Sequence, residues 1–202
     1  MLENLAETQY TVHDLIRGRW SPRAFSNRTV ERDKLLSLLE ASRWAASSYN
    51  EQPWSLIVAT QDQPSEYARL LSCLVEFNQS WAQSAPVLML SVAKLHFDRN
   101  GKENRHAFHD VGAAASNLAT QAIALDLFVH QMAGFDAQKA RTQFSIPDGY
   151  EPVAMIAIGY LGHPQTLPEA LQAQELAPRT RKALTEFVFT GAWDQASDLV
   201  ID

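Results

Sequence analysis

The chain has 202 residues, 46% hydrophobic and 20% charged, a balance that suits a folded globular protein and argues against a wholly disordered one. That length suits one sizeable core, so a single domain over residues 1–202 is expected. The net charge of -6 argues against binding to nucleic acid or a membrane surface, and no apolar run approaches the roughly 20 residues of a membrane span.

The first predicted element is a short helix from Thr11 to Arg17, capped by Thr11, with Val12, Leu15 and Ile16 at i, i+3 and i+4. Arg19–Phe25 contains Pro22 and reads as a connection. A helix over residues 31–46 follows, with acids at its start and a stripe of Leu35, Leu38, Leu39 and Ser42. Ser47–Pro53 is polar and reads as a loop, and Trp54–Thr60 as a strand rich in β-branched and aromatic residues. Pro64 opens a helix that Glu66–Leu74 continues. Pro86–Val92 is a near-continuous apolar run and reads as a buried strand, and Phe97–Asn104 is a polar loop. Residues 105–126 form the longest helix, whose middle, Gly112–Ser116, is unusually small. Such residues either let another backbone approach closely, which would place this helix centrally, or simply reflect alanine propensity. Phe128–Met132 and Pro152–Tyr160 read as strands, with a helix at Ala137–Phe144 between them. After Leu161 the spaced Pro164, Pro168 and Pro178 suit an extended connection over a surface. Helices and strands alternate irregularly, so the expected class is α+β.

Charge is unevenly placed. Arg17, Arg19, Arg23, Arg28, Arg32, Lys34 and Arg43 share one stretch, and Arg179, Arg181 and Lys182 form a second. In an acidic chain these clusters read equally well as a site for a small anion or as solvated surface. Cys73 is the only cysteine, which excludes an intrachain disulfide and suits a reducing, cytoplasmic compartment; the first ten residues lack the apolar core of a signal peptide. Neither G-x-G-x-x-G, nor a Walker A loop, nor G-x-S-x-G, nor H-E-x-x-H is present. His106 and His109 lie three apart on the long helix but lack a third ligand of metal-site spacing, so they read as polar-face residues. His109 and Asp110 are neighbours and, on a helix, point about 100° apart, which argues against a dyad. What remains is the arginines, whose planar forks suit phosphate, and Ser47–Trp54, whose Ser, Asn and Gln suit a polar ring edge or a sugar chain. A phosphate-bearing aromatic cofactor would satisfy both.

Arg19-Trp20-Ser21-Pro22-Arg23-Ala24-Phe25 resembles the R-x-S-x-R/K-x-F segment of the nitroreductase family of flavoproteins. After one helix, Ser47-Ser48-Tyr49-Asn50-Glu51-Gln52-Pro53-Trp54 is similar to that family's P-S-S-x-N-x-Q-P-W loop, in the same order and spacing. Phe77-Asn78, the small-residue helix, Met132–Asp136, the strand ending Gly159-Tyr160, and Pro178–Arg181 resemble later landmarks more loosely, so the likeness covers about residues 11–187.

The resemblance implies an α+β sandwich with a mainly antiparallel central sheet flanked by helices, and a homodimer with FMN between the chains. On this likeness Arg19, Trp20, Ser21 and Arg23 match the first cofactor-binding segment, and Arg179 and Arg181 match the phosphate end, joined by Arg19. Ser47, Ser48 and Asn50 match a loop lent by the partner chain; Asn78 lies near the ribityl or ring edge, and Ala133 and Gly134 supply backbone donors near N5. Arg23 would place charge beside N1 and the C2 carbonyl, and Gly134, lacking Cβ, would let backbone approach the ring. The implied activity is ping-pong transfer from NADH or NADPH to a nitroaromatic, quinone or similar small acceptor, with no catalytic side chain and no metal. A reductive dehalogenase, a flavin-consuming enzyme, a non-catalytic flavin carrier and a dimer binding another phosphate ligand stay open. Two departures stand out: Ala46 replaces a frequent Pro, and Trp81 stands where some members carry Lys.

Overall fold

The computed structural model describes residues 4–201. Four strands, β1 (Trp54–Thr60), β2 (Val87–Lys94), β3 (Phe128–Met132) and β4 (Tyr150–Gly159), form one sheet in the order β1-β2-β4-β3. Every pairing is antiparallel. The central strands therefore carry the apolar runs: every residue of β2 is buried except its last, Lys94, while β1 and β3 form the edges.

Strand periodicity divides the core into two layers. Val87 and Met89 of β2, with Ile156 and Ile158 of β4, pack on one face against Leu38 and Leu118. Their neighbours Leu88, Leu90, Met155 and Ala157 pack on the other face against Leu70, Cys73 and Trp81. The alternation is what a two-residue side-chain repeat requires of a sheet covered on both sides. The first layer is built by α2 (Arg32–Arg43) and α5 (Ala107–Ala124); the second by α3 (Pro64–Cys73), α4 (Glu76–Ala82) and α6 (Ala137–Gln143). The expected α+β sandwich is thus the observed one. The small middle of α5 serves close approach: Ala114 and Ala115 are buried, and the Ser42 hydroxyl donates to the Ala114 carbonyl at 3.2 Å across α2 and α5.

Four local expectations need correction. The first helix, α1, is Asp14–Gly18 and starts two residues later than a Thr11 cap requires, because the His13 ring accepts from the Leu15 amide. Helix α4 was not visible in the sequence, being only seven residues long with little apolar periodicity. The tail is not wholly extended: it contains α7 (Glu169–Leu176), with Pro168 at its N-cap and Leu171 and Glu175 turned inward. Prolines open that stretch of helix rather than prevent it. Finally, His109 and Asp110 do meet, at 3.1 Å between Nδ1 and Oδ1, although His109 is otherwise exposed.

Candidate functional site

The Arg19–Ala24 segment lies against edge strand β3. The Trp20 ring meets Phe128 edge-on with centroids 6.1 Å apart, and two residues further along each chain the Pro22 carbonyl accepts from His130 Nδ1 at 2.9 Å. Burial, and then the charge of Arg23, push His130 down to about 4, so it is neutral at pH 7. On its inner side the segment is tied to the residues just past β4: the Ser26 amide donates to the Tyr160 carbonyl at 2.9 Å, and the Gly162 amide to the Ala24 carbonyl at 2.8 Å. Gly162 must be glycine here, since a Cβ would lie 2.6 Å from the Phe25 carbonyl carbon and oxygen. Arg23 is half-buried, and its Nε has no hydrogen-bond partner among the described residues. Ser21 is exposed, whereas Trp20 is buried with its indole against Phe128.

Three guanidiniums gather at the start of this segment. Arg179 is lowered by burial and then by the charges of Arg19 and Arg181; Arg19 is lowered by burial and then by Arg181. Among the described residues none of the three makes an ion pair. Arg179 is itself partly engaged, with Nη1 donating to the Asn4 and Arg17 carbonyls, both at 2.9 Å, and Nη2 to the Arg19 carbonyl at 2.6 Å. It therefore holds the backbone that carries Arg19. Mutually repelling cations with no ion-pair partner among the described residues form an arrangement that an anion would relieve.

Past the other end of β3 lie Ala133 and Gly134, whose amides donate to no group among the described residues, Ala133 being exposed. The Gly134 carbonyl accepts from the Val75 amide at 3.1 Å and from Asn78 Nδ2 at 3.0 Å. Asn78 is thus adjacent to Gly134. The structure gives a second reason for the glycine beside cofactor approach: a Cβ at Gly134 would sit 2.6 Å from Asn78 Nδ2, so its absence makes room for that side chain. Trp81, at the position of the missing Lys, is buried against His130, with centroids 4.5 Å apart, and against Phe25 at 6.4 Å. It supplies core packing and no charge.

Ser47, Ser48 and Asn50 are not part of this cluster. Their loop precedes β1, at the opposite edge of the sheet from β3, three inter-strand spacings or about 14 Å away. Its backbone is strained: Tyr49, Asn50 and Gln52 have φ of 55°, 56° and 52°. The loop is held by the buried Asp110, which accepts from the Ser48 amide at 2.9 Å, by the Ser47 hydroxyl accepting from the Gln52 amide at 3.0 Å, and by a bond from the Asp98 amide to Glu51 Oε1. Arg99 lies 3.7 Å above the Tyr49 ring. Asp110, Glu175 and His130 are the supporting residues that sequence reading missed. Only the polar Asp110 in the buried stripe of an Ala-rich helix offered a signal.

Residues 16–160 match the nitroreductase family. The chain belongs to that family. It is 36% identical over 132 residues to an uncharacterized 15.4 kDa protein of Mycolicibacterium smegmatis, covering 65% of this chain and 88% of that one. It is 31% identical over 94 residues to the major NAD(P)H-flavin oxidoreductase of Aliivibrio fischeri, covering 46% of this chain and 43% of that one. Among solved structures, an oxidoreductase containing FMN aligns with a TM-score of 0.88 at 34% identity, covering 93% of this chain and 96% of the other. A nitroreductase family protein from Clostridium difficile aligns at 0.69 and 26% identity, covering 88% and 96%. The R-x-S-x-R segment and the S-S-x-N-x-Q-P-W loop of this nitroreductase family chain both fall inside the matched residues. Among the described residues no helix is long and apolar enough to cross a membrane, and no cluster of three His, Cys, Asp or Glu could hold a metal.

Proposed function

We propose that this chain is an FMN-dependent NAD(P)H oxidoreductase that acts as a homodimer on a small nitroaromatic or quinone-like acceptor. The observation that carries the reading is the group of Arg19, Arg179 and Arg181 at one end of β3, with no ion pair among the described residues, and the amides of Ala133 and Gly134 past the other end, which donate to no described group. The two ends are about 17 Å apart along an extended strand, which suits a long ligand with one anionic end and one polar ring. The donors fit one phosphate, and the chain has no fingerprint for adenosine, which favours FMN over FAD. FMN would supply two-electron transfer between the nicotinamide and the acceptor.

The chain's own residues would bind and bias that group. Arg19 and Arg181 would neutralise phosphate, Arg179 would hold the backbone of Arg19 in place, and Arg23 would set positive charge beside the pyrimidine end of the ring. Neutral His130 keeps the Pro22 carbonyl in place without adding a second charge there. Asn78, fixed on the Gly134 carbonyl, would face the ring edge. Ser47, Ser48 and Asn50 would serve the neighbouring chain's cofactor, because a single chain keeps them at the opposite sheet edge. Exposed Trp44 and Tyr49 beside that loop, and exposed Phe108 near Asp110, support a second chain covering it. The lone, buried Cys73 fits a cytoplasmic setting.

The test is an absorption spectrum of the purified protein before and after anaerobic NADPH or NADH, with the released flavin identified by chromatography. The proposal expects FMN that bleaches. FAD as the sole flavin, flavin that does not bleach, or protein that ignores added FMN would each reject it.

A further inference from the structure

The inner side of the Arg23 segment is fixed by a residue outside every sequence motif. Glu175 lies on α7, buried at 4% exposure, on the same inward face as Leu171 four residues before it. Its Oε1 accepts from the amides of Arg23 and Ala24, both at 2.9 Å, and its Oε2 accepts from the Arg23 amide at 3.0 Å. Among the described residues no cation pairs with it. A buried carboxylate without a counter-ion is costly, and here only backbone amides offset that cost. A leucine at this position would leave the buried Ala24 amide and the Arg23 amide without this acceptor, so the acid is kept for the backbone of the Arg23 segment and not for the packing of α7.

We propose that Glu175 is a positioning residue of the flavin site. It holds the Arg23–Ala24 backbone so that the Arg23 guanidinium meets the cofactor, and its own negative charge, bonded to the amide of that same arginine, limits how strongly Arg23 favours the reduced flavin. The inference rests on the FMN reading given above. It predicts opposite consequences for two substitutions. Glu175→Gln keeps Oε1 as acceptor for both amides, gives up the second bond from the Arg23 amide because its NH2 only donates, and removes the charge. Glu175→Ala removes the anchor itself.

Both variants and the parent are reconstituted as FMN-loaded dimers and compared by FMN titration, spectroelectrochemistry and amide exchange. Glu175→Gln is expected to stay within about threefold of the parent in FMN affinity while its preference for reduced over oxidised FMN rises about three- to tenfold, a midpoint shift of about +15 to +30 mV. Glu175→Ala is expected to bind FMN at least about tenfold more weakly, with faster exchange at Arg23 and Ala24 and unchanged exchange in the β2 and β4 core. A merely structural Glu175 would leave the Gln midpoint unmoved, and that result overturns the proposal, as does an Ala variant with parental FMN affinity and parental exchange at Arg23. Should the Ala variant fail to fold, the Gln midpoint decides alone. A parent chain that takes up no FMN rejects the functional reading itself, and this inference falls with it; a parent that takes FMN beside inert variants rejects the inference alone.

Discussion

At the β3 edge, a buried carboxylate on α7 receives the amides of Arg23 and Ala24; at the β1 edge, a buried carboxylate on α5 receives the amide of Ser48. The anchoring chemistry is the same, but the segments differ. The Arg segment is tied on both sides, by His130 to Pro22 and by Tyr160 and Gly162, just past β4, to Ser26 and Ala24. The Ser47–Gln52 loop carries three residues at positive φ and leaves Tyr49 72% exposed. A segment tied on both sides can present a half-site alone. A strained, exposed loop with aromatic surface needs a second chain to cover it. The difference is what the proposed dimer would need, with the two halves of one site on two chains.

The largest expected effect breaks that pairing directly. If each cofactor takes Arg19 and Arg23 from one chain and Ser47–Asn50 from the other, separating the chains removes the flavin completely. Dilution or mild urea, followed by light scattering and flavin fluorescence together, should show FMN release coinciding with dissociation of an interface on the order of 2,000 Å². A monomer that stays loaded would return both halves to one chain.

Next in size is an acid sensitivity confined to the β3 half. His130 is held down to about 4 by burial and then by Arg23, against about 6.5 in an unfolded chain. Between those values the unfolded chain takes up the proton first. Stability is therefore fully present above about pH 6.5 and is lost as pH falls toward 4, by about 3 kcal/mol in total. Urea midpoints at pH 7 and pH 4.5 should separate more in the parent than in His130→Gln. Equal separations would mean that the ring charges in the folded state without difficulty.

These residues also mark how far the sequence could be read. The edge strands β1 and β3 match their predicted ranges residue for residue, because β-branched and aromatic residues between clear breakers leave little latitude. The candidate residues of the Arg segment and the Ser loop could be proposed because they sit in contiguous motifs. Their anchors were not. Glu175 lies 152 residues from Arg23, and Asp110 lies 62 from Ser48, so only the folded topology brings them together. Helix α7 was hidden by prolines that read as breakers, and the contact of Gly134 with Asn78 was hidden because no local pattern reveals a side chain from α4 above it.

Smaller in size is the effect of Arg23 on the redox balance. Its Nε lacks a partner within the described chain, and Trp81 supplies no second charge. Arg23→Met should keep FMN bound and lower the two-electron midpoint by about 30–65 mV, corresponding to a lost charge–anion contact of about 1.5–3 kcal/mol. Spectroelectrochemistry measures it. An unmoved midpoint at full occupancy would leave the β3 half with a structural arginine and no electronic role.

The smallest effect concerns Gly134, and it separates two accounts of why a glycine stands past the end of β3. If the glycine serves cofactor approach, Gly134→Ala should weaken FMN binding and leave the apoprotein unchanged. The geometry supports the other account. A Cβ would meet Asn78 Nδ2 at 2.6 Å and Val75 Cγ2 at 3.1 Å, and Asn78 cannot swing aside without giving up its bond to the Gly134 carbonyl. The apoprotein should then lose about 1–2 kcal/mol, from that hydrogen bond and from the crowding at Val75. Asn78→Ala alone should cost about 1 kcal/mol, for the lost bond. In the double variant the alanine at 78 no longer occupies the space, so the combined cost should fall short of the sum by about 0.5–1 kcal/mol. Urea denaturation of the four apoproteins closes this cycle. Additive costs would mean that the two positions do not share the space, and the glycine would return to the cofactor.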